Sequence, residues 1–254
     1  MIDSHCHLDG LEDPVAAIDP GLRAIVSVGT TVASDRATVR LARDHGTVWA
    51  VLGIHPNNAS EADDDEVREE VARLAEDPRV VGVGETGFDT HWHDETLETQ
   101  RRAFDWHARL AARLDKALVL HVRDAQGRED ASRAAATAIG EAGHRRGILH
   151  CFNAHRALLE AGLALGWMVS FAGNLTFKNA QGLRDAALEV PPDRLLVETD
   201  SPYLSPEPKR GKRNTPANVR LTAAVLARVR GVELEELEAT LDANAARVYG
   251  LPAA

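Results

Sequence analysis

Histidines are unevenly placed along this sequence of 254 residues. Five of the eleven lie at or near the ends of short apolar runs: His5, His7, His55, His121 and His150. A single histidine on a strand is more often a hydrogen-bonded core residue than a ligand. Five at equivalent positions, with carboxylates nearby, favour a shared metal site, because neutral imidazole suits zinc and similar metals.

The first apolar run contains a His-x-His pair within Asp3-Ser4-His5-Cys6-His7. Side chains alternate along a strand, so His5 and His7 share one face and Cys6 points to the other. Asp3 lies on the histidine face, where it either orients a ligand or simply begins the strand. We interpret the two imidazoles as ligands that converge on one cation.

Two carboxylates end later apolar runs. Glu85 follows residues 80–84, and Asp200 follows residues 195–199. An acidic side chain at the end of an apolar strand is costly unless it is paired or bound to metal. A salt bridge is the alternative interpretation of Glu85.

Short β-branched runs alternate with helical patterns along the whole chain. Eight predicted strands that alternate with helices indicate a single-domain (β/α)8 TIM barrel over residues 1–254, with the active site at the C-terminal ends of the strands. A doubly wound open sheet is the alternative, but neither a GxGxxG nor a P-loop motif is present. The predicted strands are 2–8, 24–28, 48–55, 80–85, 118–122, 148–152, 167–171 and 195–200.

Barrel closure predicts how the candidate ligands meet. The eighth strand lies beside the first, which places Asp200 next to the His-x-His pair. The fifth and sixth strands are neighbours, so His121 and His150 form a second group. Glu85 is next to that group and has two oxygens, which suits it to bridge two divalent ions that share a hydroxide.

Seven motifs in this sequence resemble those of the TatD family of metal-dependent hydrolases, in family order and over nearly the whole chain. They are Asp3-Ser4-His5-Cys6-His7-Leu8-Asp9, Gly53-Ile54-His55-Pro56, Gly82-Val83-Gly84-Glu85-Thr86-Gly87, His121-Val122-Arg123-Asp124-Ala125, His150-Cys151-Phe152, Thr176-Phe177-Lys178-Asn179 and Glu198-Thr199-Asp200-Ser201-Pro202-Tyr203-Leu204.

The resemblance implies an amidohydrolase-type barrel and a DNase-like phosphodiesterase that uses divalent metals. It implies that Arg213, Asn214 and Pro216 lie in a loop at the mouth of the site. Family members usually have aromatic residues where this chain has 90–93, and Ser-Gly where it has Asn153-Ala154. The residues that match the family's metal ligands are His5, His7, Glu85, His121, His150 and Asp200.

Other polar residues are candidates for substrate contact. His55 has no obvious ligand partner, and we expect it to contact a substrate phosphate or a metal-bound water. Arg123, two residues after His121, could hold phosphate, as could Arg213 and Asn214 in the loop after the eighth strand. That loop carries a short basic run, for which a solvated surface is the alternative: Lys209, Arg210, Lys212 and Arg213.

The remaining histidines and the two cysteines receive structural interpretations. We expect Cys6 and Cys151 to point toward the helices and pack as small apolar residues. The loop pair His91 and His93 is interpreted as a surface feature, and four further histidines as solvated: His45, His107, His144 and His155.

Composition narrows the possible partners. The net charge of −10 predicts that polyphosphate is repelled except where positive charge is concentrated. Aromatic residues make up 4% of the chain, which argues against binding bare strands mainly by base stacking. No apolar run is long enough for a membrane helix, no signal peptide is evident, and two cysteines make no disulfide framework, so we expect a cytoplasmic protein.

These features favour hydrolysis of nucleic-acid phosphodiester bonds, with Asp200 as ligand and proton acceptor and Glu85 holding two metal ions together. DNA ends or short oligonucleotides are the expected substrates. The expected metals are zinc, magnesium or manganese. Imidazole ligands favour zinc or another transition metal, whereas carboxylate ligands also suit magnesium and manganese. Two alternatives stay open: a carbonyl substrate (an ester, lactone, amide or aminoacyl-tRNA linkage) at the same site, and a metal-binding protein without catalysis.

Overall fold

Eight parallel strands form one sheet in a computed structural model, which describes residues 1–92 and 94–252. The strands follow chain order, and each pairs with the next. This arrangement confirms the predicted barrel. The strands are β1 (Ile2–Cys6), β2 (Ala24–Val28), β3 (Val48–Leu52), β4 (Val80–Asp89), β5 (Ala117–Arg123), β6 (Gly147–Leu149), β7 (Met168–Phe171) and β8 (Leu195–Val197).

Helices follow the strands and cover the outside of the sheet. Their apolar faces pack on the strands, and Thr31 and Thr96 cap the first and third helices through hydroxyl contacts with backbone N–H groups. No helix within the described residues is long and apolar enough to cross a membrane. The helices are α1 (Val32–Asp44), α2 (Asp65–Ala75), α3 (Leu97–Leu114), α4 (Asp130–Ala142), α5 (Arg156–Ala164), α6 (Gln181–Glu189), α7 (Val219–Arg230) and α8 (Leu234–Tyr249).

The barrel closes between β1 and β8 through the residues that follow the two strands. The backbone N–H of Asp200 donates to the carbonyl of His5 at 3.0 Å, and the N–H of His7 donates to Ser201 at 2.7 Å. Closure therefore places Asp200 beside the His-x-His pair, as the strand order predicted.

Helix α8 covers the N-terminal end of the barrel. Val248, Tyr249 and Leu251 join the apolar cluster inside the strands, and the Tyr249 hydroxyl donates to the carbonyl of Ser4 at 2.9 Å. Because this end is filled, the candidate site at the opposite end of the barrel rests on a packed core.

Strand lengths differ from the prediction where the site begins. β4 continues to Asp89 and β5 to Arg123, while β1, β3, β6 and β8 end before His7, His55, His150 and Asp200. His7, His55, His150 and Asp200 therefore lie just beyond strand ends, where strict alternation no longer determines the direction of a side chain.

Candidate metal centre

The carboxylate of Glu85 lies at the centre of five imidazole rings. Its side chain is 3% exposed, and nitrogens approach both of its oxygens. The distances are 3.6 Å from His5 Nε2, 3.6 Å from His7 Nε2, 3.9 Å from His55 Nε2, 3.5 Å from His121 Nδ1 and 3.3 Å from His150 Nε2. Most of these separations exceed ordinary hydrogen-bond lengths.

Asp200 supplies the second carboxylate. Its Oδ1 lies 3.4 Å from His7 Nε2 and 4.0 Å from His5 Nε2. The ligand atoms of these three residues all lie within 4.8 Å of one another. His121 and His150 both approach the Oε2 atom of Glu85, which His5 Nε2 also approaches, and the His5 and His150 rings stack with centres 3.6 Å apart. The structure thus brings the two groups that strand order predicted together around Glu85.

A glycine lets Glu85 occupy this position. Gly84 has a φ of +129°, which L-residues rarely adopt, and a Cβ atom there would collide with the carbonyl oxygen of Val119 on β5. The close approach of β4 and β5 at this point brings Glu85 toward His121 on β5.

Backbone and carboxylate groups orient two of the histidines. His7 Nδ1 lies 2.9 Å from the carbonyl of Val28, so Nδ1 carries a proton and Nε2 is the nitrogen that faces Glu85. His150 Nδ1 lies 2.7 Å from Oε1 of Glu198, a fully buried carboxylate, and its Nε2 also faces Glu85. Such outer contacts fix the tautomer of a metal-binding imidazole.

His121 is oriented the other way round. Its Nε2 lies 3.3 Å from Oδ2 of Asp89, and its Nδ1 faces Glu85. Neither Asp89 nor Glu198 was predicted to be functional. The available signal was a carboxylate at or just beyond the end of an apolar strand, the same signal that identified Glu85.

His55 differs from these histidines. Its Nδ1 accepts a hydrogen bond from the backbone N–H of Asn57 at 3.1 Å, so the proton of the neutral ring resides on Nε2. Nε2 faces the site, 3.9 Å from Glu85. His55 therefore presents an N–H donor to the site.

Burial and charge shift the pKa values of the site in opposite directions. Burial alone lowers the pKa of His7, but Asp200 and Glu85 outweigh it and raise that pKa to about 10. Asp89 and Glu85 likewise overcome burial and raise the pKa of His121 to about 9. Burial and the nearby His121 lower the pKa of His55 to about 4, which keeps its ring neutral.

The residues present fit divalent cations. Neither ring nitrogen of His5 nor Oε2 of Glu85 has a hydrogen-bond partner within the described residues, although all three atoms are buried. Buried polar atoms without partners are costly. A cation between imidazole nitrogens and carboxylate oxygens would satisfy them, and the protons on His7 and His121 would leave as it binds.

A cavity of about 1270 Å³ opens above these ligands. Its lining includes His7, His55, Glu85 and Asp200, and two guanidinium groups reach it from the β5 side, those of Arg123 and Arg128. The volume exceeds that of an ordinary small-molecule pocket, so a ligand larger than a typical small molecule would fit.

Comparison with known proteins decides the family. The model for TatD-related DNases matches residues 2–250. The chain belongs to this family. The match spans every ligand candidate and the described barrel, and the chain is a metal-dependent hydrolase of this family.

Curated relatives and a solved TatD structure cover the chain almost completely. The uncharacterized metal-dependent hydrolase YcfH of Escherichia coli K12 is 39% identical over 100% of this chain and 97% of its own length. A protein of Erwinia billingiae named 3'-5' ssDNA/RNA exonuclease TatD is 36% identical, over 93% and 91%. The crystal structure of YjjV, a TatD homologue from E. coli K12, has a TM-score of 0.89 at 26% identity, over 99% and 98%.

The basic run in the loop after β8 lies elsewhere than at the cavity, where we expected it to hold phosphate. No member of the basic run at 209–213 lines the cavity in the part of the chain that the structure describes. Arg213 donates to the carbonyl of Gly10, and Arg210 lies 4.3 Å from the ring centre of Phe177. Arg123, which ends β5, does line the cavity, so the positive charge comes from the β5 side.

Asn214 has a supporting position. It is fully buried, and its amide donates to the carbonyls of Thr199 and Tyr203 at 2.9 and 2.7 Å. It does not line the cavity, which corrects the predicted direct contact with substrate. Asn214 instead holds the turn that carries Asp200.

Three other expectations need correction or limits. Cys6 is buried among apolar residues as predicted, but Cys151 lines the cavity, because a φ of +43° turns its side chain away from the helices. His107 is fully buried rather than solvated. His91 is half-buried, and its partner His93 lies outside the described residues.

Proposed function

We propose that this chain hydrolyses phosphodiester bonds at DNA ends or in short oligonucleotides, with two divalent ions as cofactors. The observation that carries the proposal is Glu85, whose two oxygens face imidazoles from both ligand groups. A carboxylate in this position holds two cations close together, an arrangement common among enzymes that cleave phosphate esters.

The six ligand candidates divide into two sets around Glu85. His5, His7 and Asp200 would hold one ion and His121 and His150 the other, and Glu85 approaches residues of both sets. Bound ions neutralise charge on phosphoryl oxygens and make water a stronger nucleophile. The imidazole-rich set favours zinc, whereas the carboxylates also suit magnesium or manganese.

Asp200 and His55 act on the reacting groups. Asp200 accepts the proton of the attacking water, and it is held for this role by its backbone bond to His5. His55 donates its Nε2 proton in a hydrogen bond to a phosphoryl oxygen, because Asn57 occupies the other ring nitrogen. Neither role requires a nucleophilic serine or cysteine.

The distribution of charge supports binding to only a few phosphates of the substrate, at the cavity. The chain carries a net charge of −10, while Arg123 places positive charge at the cavity; Arg128, which also lines it, pairs with Asp130. Such a protein should hold a few phosphates near a strand end rather than a long duplex. The exonuclease name of the Erwinia relative agrees with this proposal.

A substrate panel tests the proposal. The purified chain is freed of metal, reconstituted with zinc, manganese or magnesium, and offered end-labelled oligonucleotides, lactones and aminoacyl esters. We expect stepwise cleavage of oligonucleotides that stops when a chelator is added and resumes when metal is restored. Asp200→Asn should lower kcat by about 100-fold or more.

Two outcomes contradict the proposal. Hydrolysis of carbonyl substrates without cleavage of any oligonucleotide would assign the same centre to ester or amide chemistry. A reconstituted protein that binds metal and is inert on every substrate would favour a metal-binding role without catalysis.

A further inference from the structure

Two aromatic side chains project into the opening above the metal centre. Trp92 is 57% exposed and Tyr203 is 62% exposed, and both line the cavity. The other large apolar side chains that are exposed in the described residues lie outside the cavity lining: Val15, Leu188 and Val232. Isolated exposed apolar residues need no explanation, but two aromatic rings at one opening do.

The two rings stand on opposite sides of the opening. Trp92 is three residues beyond β4, and Tyr203 is six residues beyond β8. β4 and β8 are diametrically opposed because the strands follow chain order around a ring of eight. A strand of substrate that crosses the metal centre therefore has one aromatic ring on each side.

Trp92 is tied to the centre through Asp89. Oδ1 of Asp89 accepts hydrogen bonds from the backbone N–H groups of His91 and Trp92, at 2.7 and 3.4 Å, while Oδ2 lies 3.3 Å from His121. The guanidinium of Arg123 lies 5.5 Å from the centre of the Trp92 ring. One loop thus presents an aromatic ring beside a positive charge.

Tyr203 is held by the turn that carries Asp200. Its N–H donates to the carbonyl of Asp200 at 2.8 Å, and its own carbonyl accepts from Asn214. The ring centre lies 6.1 Å from that of His7. Tyr203 is therefore exposed on its ring but restrained at its backbone, directly beside a metal ligand.

We propose that Trp92 and Tyr203 stack on unpaired nucleobases on either side of the phosphodiester to be cleaved, and so make this chain selective for single-stranded nucleic acid. This inference rests on the proposed function. Every base has a flat face that stacks on an aromatic ring, whereas in a duplex these faces are covered by neighbouring base pairs. Arg123 would hold a phosphate next to the base on Trp92.

A comparison of two substrates tests the inference. One is a single-stranded 12-nucleotide DNA, and the other has the same length and phosphates but abasic sugars at every position. We expect the wild-type protein to favour the base-bearing strand. Trp92→Ala and Tyr203→Ala should each reduce the ratio of the two kcat/KM values by about 5- to 100-fold, mainly through KM.

Conservative and distant variants serve as controls. Trp92→Phe and Tyr203→Phe keep a ring and should retain most of the ratio. Leu188→Ala removes a side chain of the same 57% exposure outside the cavity and should leave the ratio unchanged. A blunt duplex should be cleaved more slowly than the single strand.

The results separate this inference from the function beneath it. If both substrates are cleaved and the two alanine variants leave the ratio unchanged, or lower both rates equally, the stacking role is wrong and phosphodiester hydrolysis stands. If no phosphodiester is cleaved with any metal, the proposed function fails and the inference fails with it.

Discussion

Glu198 Oε1 lies 2.7 Å from His150 Nδ1, and both side chains are buried. The same carboxylate oxygen accepts the backbone N–H of Cys151 at 2.9 Å, so it restrains the loop that follows β6 as well as the ring. Burial lowers the pKa of His150, but Glu198 overcomes this and raises it. Glu198 thus keeps a proton on Nδ1 and directs Nε2 toward Glu85.

Replacing Glu198 should weaken metal binding without removing a ligand. Glu198→Gln leaves the shape but removes the charge that fixes the His150 tautomer, and we expect about 10- to 100-fold lower metal affinity. Competition with a chromophoric chelator measures this change. Glu160→Gln, an exposed carboxylate in α5, is the control; equal affinities for the two variants would contradict the assigned role.

His55 should be essential for turnover and dispensable for metal content. Its Nδ1 accepts from Asn57, so its other nitrogen has no lone pair to offer a cation. We expect His55→Ala to retain the full metal content measured by mass spectrometry and to lose about 100-fold in kcat. His150→Ala should instead lose metal. Loss of metal from His55→Ala would mean that His55 is a ligand.

Gly84→Ala should destabilise the barrel at the centre of the site. The residue has a positive φ, and a Cβ would meet the Val119 carbonyl, so we expect a loss of about 3 kcal/mol in the free energy of unfolding. Urea unfolding in the presence of a chelator measures it. Gly140→Ala, within α4 and with no atom near its added Cβ, should be neutral or stabilise by up to about 1 kcal/mol.

Ala154→Gly should stabilise the protein. Ala154 has a φ of +67°, the left-handed region that glycine prefers, at a position where family members usually carry glycine. We expect a gain of about 1 kcal/mol in the free energy of unfolding. Ala161→Gly, within α5, should cost about 1 kcal/mol. The same sign for both variants would show that the backbone at 154 carries no strain.

His107 should make stability depend on pH. Burial lowers its pKa to about 4, opposed by its bond to the Ala103 carbonyl and assisted by Arg68. In the unfolded chain the pKa is about 6.5. Between these values the unfolded chain binds a proton that the folded chain does not, so stability present above pH 6.5 is lost as the pH falls toward 4.

His107→Gln removes this titration and keeps a donor for Ala103 and an acceptor for Ile54, which His107 contacts at 2.7 and 2.9 Å. The free energy of unfolding from urea titrations at pH 7 and pH 5 should fall by about 2 kcal/mol less in the variant than in the wild type. An equal fall in both proteins would exclude His107 as the source.

The sequence was sufficient for the barrel and for most of the candidate centre. Strands buried on both faces are short apolar runs, and their C-terminal ends meet at one end of a barrel, so polar residues such as Glu85 and His121 could be placed together from chain position alone. The order of the strands then predicted Asp200 beside the first-strand histidines.

Side-chain direction beyond the strand ends required the folded chain. Cys151 and Asp200 have φ values of +43° and +53°, and a left-handed residue turns its side chain out of the alternating pattern. The proton positions of His150 and His55 depend on Glu198, 48 residues after His150, and on a turn at Asn57. These side-chain directions and proton positions depend on contacts that form when the barrel closes, so local residue patterns do not predict them.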